Sequence, residues 1–192
     1  RQVLLAMASL GVAVFSTFLL VPNLAVWLQL NVGVTRDDLS LYYLVGGVAS
    51  VIALQVVGRM LDRMGGRVVA LGLAVGIVVV IADGFMHVSV LPPLVIFTLF
   101  MALTATRTIV ATTVNTTVPA PRVRGAFMSL QSIGQHAFSG LAAILSSSLL
   151  VEEQQQLHNL ELVAACALAL SILQPLLLQR LLKYQALSPA TS

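Results

Sequence analysis

Charged residues punctuate this chain at long intervals, and the stretches between them are dominated by apolar side chains. Counting His as neutral, the uncharged runs are 2–35, 39–58, 68–82, 84–106, 125–151 and 162–179. Their lengths are 34, 20, 15, 23, 27 and 18 residues. A helix needs about 20 mostly apolar residues to cross a hydrocarbon core roughly 30 Å thick. Only Asp83 interrupts the third run, so that segment extends toward residue 87. The pattern predicts six membrane helices at about 4–30, 39–58, 68–87, 91–114, 125–151 and 160–181, with a tail over 182–192. No run carries the ten-residue alternation of a barrel strand, and backbone in lipid must satisfy its hydrogen bonds within each segment. Strands are not expected.

Composition strengthens this reading. The 192 residues are 58% hydrophobic and 9% charged, against about 25% charged in an ordinary soluble domain. Ten basic and seven acidic residues cannot clothe a soluble surface of this size. A cytosolic enzyme and a disordered chain are thereby excluded. Nucleic-acid binding is excluded as well, because a net charge of +3 with 6% aromatics supplies neither a basic groove nor stacking platforms. One cysteine, Cys166, sits in an apolar run, so no disulfide forms within the chain and inert packing is expected. No Cys/His cluster has zinc spacing. No metal or cofactor is expected.

The distribution of charge orients the helices. If six helices alternate, Arg1, Arg59, Arg63, Arg67, Arg122, Arg124, Arg180 and Lys183 fall on one side. Arg36 falls on the other, with Asp37, Asp38, Glu152, Glu153 and Glu161. Basic residues mark the cytoplasmic face, so both termini are expected in the cytoplasm and the protein in the cell's inner membrane.

The most distinctive loop is Gly58-Arg-Met-Leu-Asp62-Arg63-Met-Gly65-Gly66-Arg67, between the second and third helices. Gly58 and Gly65 permit a tight turn and close helix approach. Asp62 suits the positive end of a helix dipole. Arg63 and Arg67 can bond carbonyls, pair with Asp62 or meet anionic headgroups. Taken alone, this is a basic hairpin turn.

The segment also resembles the loop motif of the major facilitator superfamily of membrane transporters, G-x-L-a-D-r-x-G-r-k. Gly58, Asp62, Arg63, Gly65 and Arg67 match it, with Met60 in place of Leu and Gly66 in place of a basic residue. Leu103-x-x-x-Arg107 resembles the start of that family's fourth-helix arginine motif, with Val110-Ala111 where Gln-Gly is usual. Residues 122–131 resemble the Arg-Gly opening common after the fourth helix of a half. Leu20-Val-Pro-Asn23-Leu and Leu41-Tyr-Tyr-Leu-Val-Gly-Gly47 are most similar to the C-terminal half of bacterial drug or sugar efflux members. The resemblance implies an all-α polytopic fold, one 3+3 inverted-repeat half of a transporter whose substrate site lies between two such halves. It also implies that the 58–67 loop latches one conformation. A missing N-terminal six-helix half, on the same or a separate chain, is then an expected partner, beside the lipid bilayer, a small-molecule substrate and protons. The first residue is not Met, which favours a truncated protein over a natural half-transporter.

Polar residues inside the runs are the candidates for chemistry. Arg107 is the most exceptional, because a charge in hydrocarbon costs at least about 2.5–3.5 kcal/mol. It either binds substrate in a cavity or serves as a structural cation reaching carbonyls. Asp83 is a weak candidate for proton coupling and otherwise a solvated helix-end carboxylate. Gln131 and Gln135 share a face of the fifth helix beside His136, as a pore-facing stripe or an interhelical cluster. Pro22 and Asn23 interrupt the first helix, either lining a cavity or kinking it for packing.

Secondary transport of a small solute by alternating access is therefore the leading expectation, with efflux by proton antiport following from the resemblance. Arg107, Asn23, Gln131, Gln135 and His136 are the expected cavity residues. A non-transporting interaction module is the alternative. An intramembrane enzyme using His136 and Ser139 is weaker, because no nucleophile-elbow or metal-ligand pattern occurs.

Overall fold

The computed structural model describes residues 2–86, 89–153 and 156–187. Arg1, residue 87 at the end of the expected third helix and the 188–192 end of the expected tail lie outside the described residues. The first helix forms as α1 (Gln2–Phe18), a 3-10 turn (Val21–Asn23) and α2 (Leu24–Leu30). Pro22 stands inside that turn and cannot donate a backbone hydrogen bond, so the 4–30 helix is interrupted at Pro22 and Asn23, as the sequence predicts. Next comes α3 (Leu39–Phe85), 47 residues broken at Gly65. It is followed by α4 (Pro93–Asn115), α5 (Arg124–Leu149) and α6 (Leu160–Leu187).

The expected 58–67 loop reduces to one residue. Residues 59–64 continue the helix because Arg, Met and Leu are good helix formers and their charges project past the apolar run. Gly65 alone leaves helical geometry, at φ 77° and ψ 159°, a region essentially reserved for glycine. At 1.5 Å per residue a straight α3 would be roughly 70 Å long, more than twice a hydrocarbon core. Instead it folds back at Gly65, and both of its ends meet the start of α4. Tyr42 and Tyr43 lie edge-on to Phe97, while Phe85 lies edge-on to Phe100.

Two corrections concern the other end of the molecule and the tail. Two short antiparallel strands, β1 (Val151–Glu153) and β2 (Gln156–His158), form between α5 and α6, where no strand was expected. They lie in the acidic connection rather than in an apolar run, so their pairing needs no lipid. In addition, α6 continues to Leu187, through most of the stretch read as the start of a tail.

Two apolar layers reveal the direction of each helix. One holds Ala6, Val57, Val69, Val114, Phe127 and Leu181. The other holds Trp27, Phe85, Ile96, Ala142 and Leu160. Helices α1, α4, α5 and α6, and each limb of α3, therefore run from one layer to the other, with short α2 wholly in the second, and successive crossings alternate. The Val57–Leu181 layer lies beside Arg59, Arg63, Arg67, Arg122, Arg124, Arg180 and Lys183, all exposed. Both described ends of the chain meet at this basic end, where Gln2 Nε2 donates to the Tyr184 carbonyl at 3.5 Å.

Four stretches are long and apolar enough to cross a membrane: Gln2–Leu30, Leu39–Phe85, Pro93–Asn115 and Leu160–Tyr184. The protein is a nearly all-helical, multi-pass membrane protein. Helix α5 is long enough to cross but carries Gln131, Gln135, His136 and several serines.

Candidate functional site

Arg107 lies on the face of α4 that also buries Phe100, Val110, Ala111 and Val114, so the helix turns its one charge into the bundle. The side chain is 2% exposed. Its Nη1 donates to Ser171 Oγ on α6 at 2.8 Å. Its Nη2 donates to the Ala13 carbonyl at 2.9 Å, to Thr17 Oγ1 at 2.7 Å and to Ser16 Oγ at 3.3 Å, all on α1. Every partner is a neutral oxygen. The planar fork thus joins three helices at once, something a lysine ammonium could not do with the same geometry.

The acceptors are themselves organised. Ser16 donates to the Ala167 carbonyl at 3.0 Å and shares a 2.7 Å contact with Ser171. Thr17 donates to the Ala13 carbonyl at 2.9 Å. Pro175 stands inside α6 four residues after Ser171, and without an N–H it cannot bond the Ser171 carbonyl. Helix α6 is therefore weakened one turn beyond the arginine contact.

Further along the same three helices, Asn115 Nδ2 donates to the Ala6 carbonyl at 2.9 Å. Arg107 Nε, Asn115 Oδ1, Ser9 Oγ and Gln174 Oε1 are buried without a partner. This polar seam was not found by sequence reasoning, apart from Arg107. Ser9, Ser16 and Thr17 recur at helical spacing on α1, and that was the available signal.

The other expected cavity residues do not gather around Arg107, and no hydrogen bond links it to any of them among the described residues. Asn23 Nδ2 donates to Ser146 Oγ on α5 at 2.9 Å, and Ser146 donates to the Leu19 carbonyl at 2.6 Å. That carbonyl is free because the Asn23 N–H turns to Leu20 instead. Asn23 thus ties the helix break to α5. Gln131 is 2% exposed, with neither end of its amide partnered. Gln135 is half-buried and His136 exposed.

Asp83 closes a loop. It accepts from the Val90 N–H at 3.1 Å, the Leu91 N–H at 3.3 Å and the Ser89 hydroxyl at 3.1 Å. In the expected latch, Asp62, Arg63 and Arg67 are exposed. A Cβ on Gly58 would meet nothing within 4 Å, so the structure gives that glycine no close helix approach to permit. Cys166 is exposed rather than packed, because it lies on the side of α6 away from buried Val163 and Ala167.

Helix α5 presents a surface the sequence reading recognised only in part. One face packs on α1 through Phe127, Gln131, Ala142 and Ser146, and a Cβ on Gly11 of α1 would come within 2.6 Å of the Phe138 ring. A second face exposes Leu130, Ile133, Leu141 and Ile144. A third carries Ser129, Ser132, His136, Ser139 and Ser147 at helical spacing, with all but half-buried Ser139 exposed. On α4, Thr108, Thr112 and Thr113, with Thr116 just past its end, lie away from the arginine and are exposed or half-buried.

No protein-family model, curated protein or solved structure matches the chain.

Proposed function

We propose that the chain is one six-helix half of a secondary transporter of the major facilitator type, exporting a small solute by alternating access with protons as the counter-ion. The observation that carries this reading is the exposed polar strip on α5. Ser129, Ser139 and Ser147 bond carbonyls of their own helix, and such hydroxyls tolerate lipid. Ser132 and His136 have no such bond among the described residues, and an imidazole facing hydrocarbon is costly. This strip belongs against water or a second protein half, while the Leu130–Ile144 face belongs against lipid. Arg107 acts in this reading as a brace holding α1, α4 and α6 as one body that can rock as a unit. The reversal at Gly65 falls within the motif resembling the family's loop and supports the same assignment. On the positive-inside rule the basic end faces the cytoplasm of an inner membrane.

The Ser139 hydroxyl donates to the His136 carbonyl at 2.9 Å rather than to the imidazole, which favours the transporter reading over an intramembrane enzyme. The interaction-module reading predicts a bound partner without flux. The test is solute flux driven by an imposed proton gradient in proteoliposomes holding the chain joined to its upstream reading frame. Recovery of six more helices and gradient-driven flux is expected. Flux that ignores the gradient would remove proton antiport, and an upstream sequence without membrane helices would remove the two-half architecture.

A further inference from the structure

At the basic end, the start of the second limb of α3 and the last turns of α6 enclose a cleft of about 710 Å³. Its walls are Arg67, Leu176, Gln179, Arg180, Leu182 and Lys183. Three cations and an amide therefore converge with no carboxylate among them. None of the three cations makes a hydrogen bond or ion pair among the described residues. The three side chains are exposed, so water and salt screen their mutual repulsion, and an anion bound among them would lower it further.

The surroundings identify that anion's class. Val68, Leu71, Val75 and Val79 climb away from Arg67 along α3 and are exposed. Leu176, Leu173 and Ile172 climb away from Arg180 along α6, also exposed. Val69 and Leu73 pack in one cluster with Leu178 and Leu181, so α3 and α6 are neighbours here, and each carries an exposed apolar row that starts at the cleft. A charged mouth at the membrane boundary with an apolar track leading toward the bilayer centre matches a molecule with an anionic head and hydrocarbon tails. Basic pockets between membrane helices hold anionic headgroups.

We propose that this cleft binds the headgroup phosphate of an anionic phospholipid in the leaflet at the basic end, with its acyl chains along the Val68–Val79 and Ile172–Leu176 rows. Arg67 and Arg180 grip the phosphate through their forks, and Lys183 adds a mobile charge. The proposal rests on the membrane reading and not on transport. The lipid would add to the direct packing of α3 on α6 beside the reversal.

Native mass spectrometry of the full chain in neutral detergent provides the test, with dioleoyl phosphatidylglycerol and dioleoyl phosphatidylcholine as probes. At about 1 kcal/mol per basic residue, R67Q/R180Q/K183Q should weaken phosphatidylglycerol binding roughly 100-fold. The control R59Q/R122Q/R124Q removes the same charge from the same end and should retain binding within a few-fold. R67K/R180K, which keeps the charge and protects folding, should retain most of it. Equal loss in both triple variants, or equal binding of phosphatidylcholine, would overturn the proposal. A competition needing no variant separates lipid from soluble anion. Displacement by an equimolar amount of sn-glycerol 1-phosphate would assign the cleft to a free phosphate compound, and resistance to it is expected.

Discussion

Arg107 and Thr17 lie 90 positions apart and are joined by a 2.7 Å hydrogen bond from Nη2 to Oγ1. With Ser171 on the other arm of the guanidinium, the contact makes Arg107 a three-helix tie. Arg107→Ala would empty its site and leave hydroxyls that can re-pair only in part. A loss of about 2–4 kcal/mol is expected, read as a lower melting temperature in detergent and less chain in the membrane. Arg107→Lys should fare no better, because one ammonium cannot reach both Ser171 and the α1 acceptors. Unchanged melting with lost flux would instead place the arginine in a substrate path.

This residue also marks how far the sequence could be read. Arg107 stood out because a charge inside a 23-residue apolar helix is costly, and that signal is local. Its partners did not stand out, because Ser16, Thr17 and Ser171 are small polar residues that membrane helices carry for many reasons. Only convergence of three distant segments distinguishes them. Helix positions were legible for the same reason as the arginine, since a run of about 20 apolar residues has few alternatives. The three-residue strands at 151–153 and 156–158 were not, because they are too short to show a period. The reversal was placed in the correct segment but spread over ten residues, since the helix-forming stretch 59–64 carries the same charges as a loop.

The glycines of that segment separate cleanly. Gly65 sits at φ 77° and ψ 159°, so Gly65→Ala should destabilise by about 1–3 kcal/mol. Gly58 is helical with open space around it. Gly58→Ala should therefore be neutral or add about 0.5–1 kcal/mol. Thermal unfolding of the two variants side by side checks the pair. Equal losses would mean that the reversal is not confined to Gly65.

Asp83 gathers two backbone N–H groups and a hydroxyl from residues 89–91. Asp83→Ala should release that turn, with faster hydrogen exchange at Val90 and Leu91 and no change in the basic-end helices. Asp83→Asn, which keeps one carbonyl oxygen, should fall between. If exchange is unchanged while proton-driven flux is lost, the carboxylate serves coupling rather than the turn.

The faces of α5 can be separated by labelling. After Cys166→Ala removes the native thiol, Ser132→Cys and His136→Cys should react with a membrane-impermeant maleimide in the assembled protein. Ile133→Cys and Ile144→Cys, on the apolar face, should not. Similar reaction at all four would mean that α5 lies outside the bilayer, and protection of all four would mean that a protein partner or lipid seals the polar strip.

Gln131 offers the sharpest contrast between stability and function. Its side chain is buried against α1, with both amide atoms unpartnered, and a buried amide without hydrogen bonds costs about 1–3 kcal/mol in proteins. Leucine has similar volume and no polar atoms. Gln131→Leu should therefore stabilise the chain by about 1–2 kcal/mol, worth roughly 2–4 °C in melting temperature per kcal/mol at this size. On the proposed transport reading, this amide would meet water or solute during the working cycle, where activity trades against stability. The expected outcome is thus a higher melting temperature together with slower flux in the two-half protein. A higher melting temperature with flux unchanged would make Gln131 a passive occupant of the α1–α5 contact, and a lower one would mean that ordered water satisfies the amide.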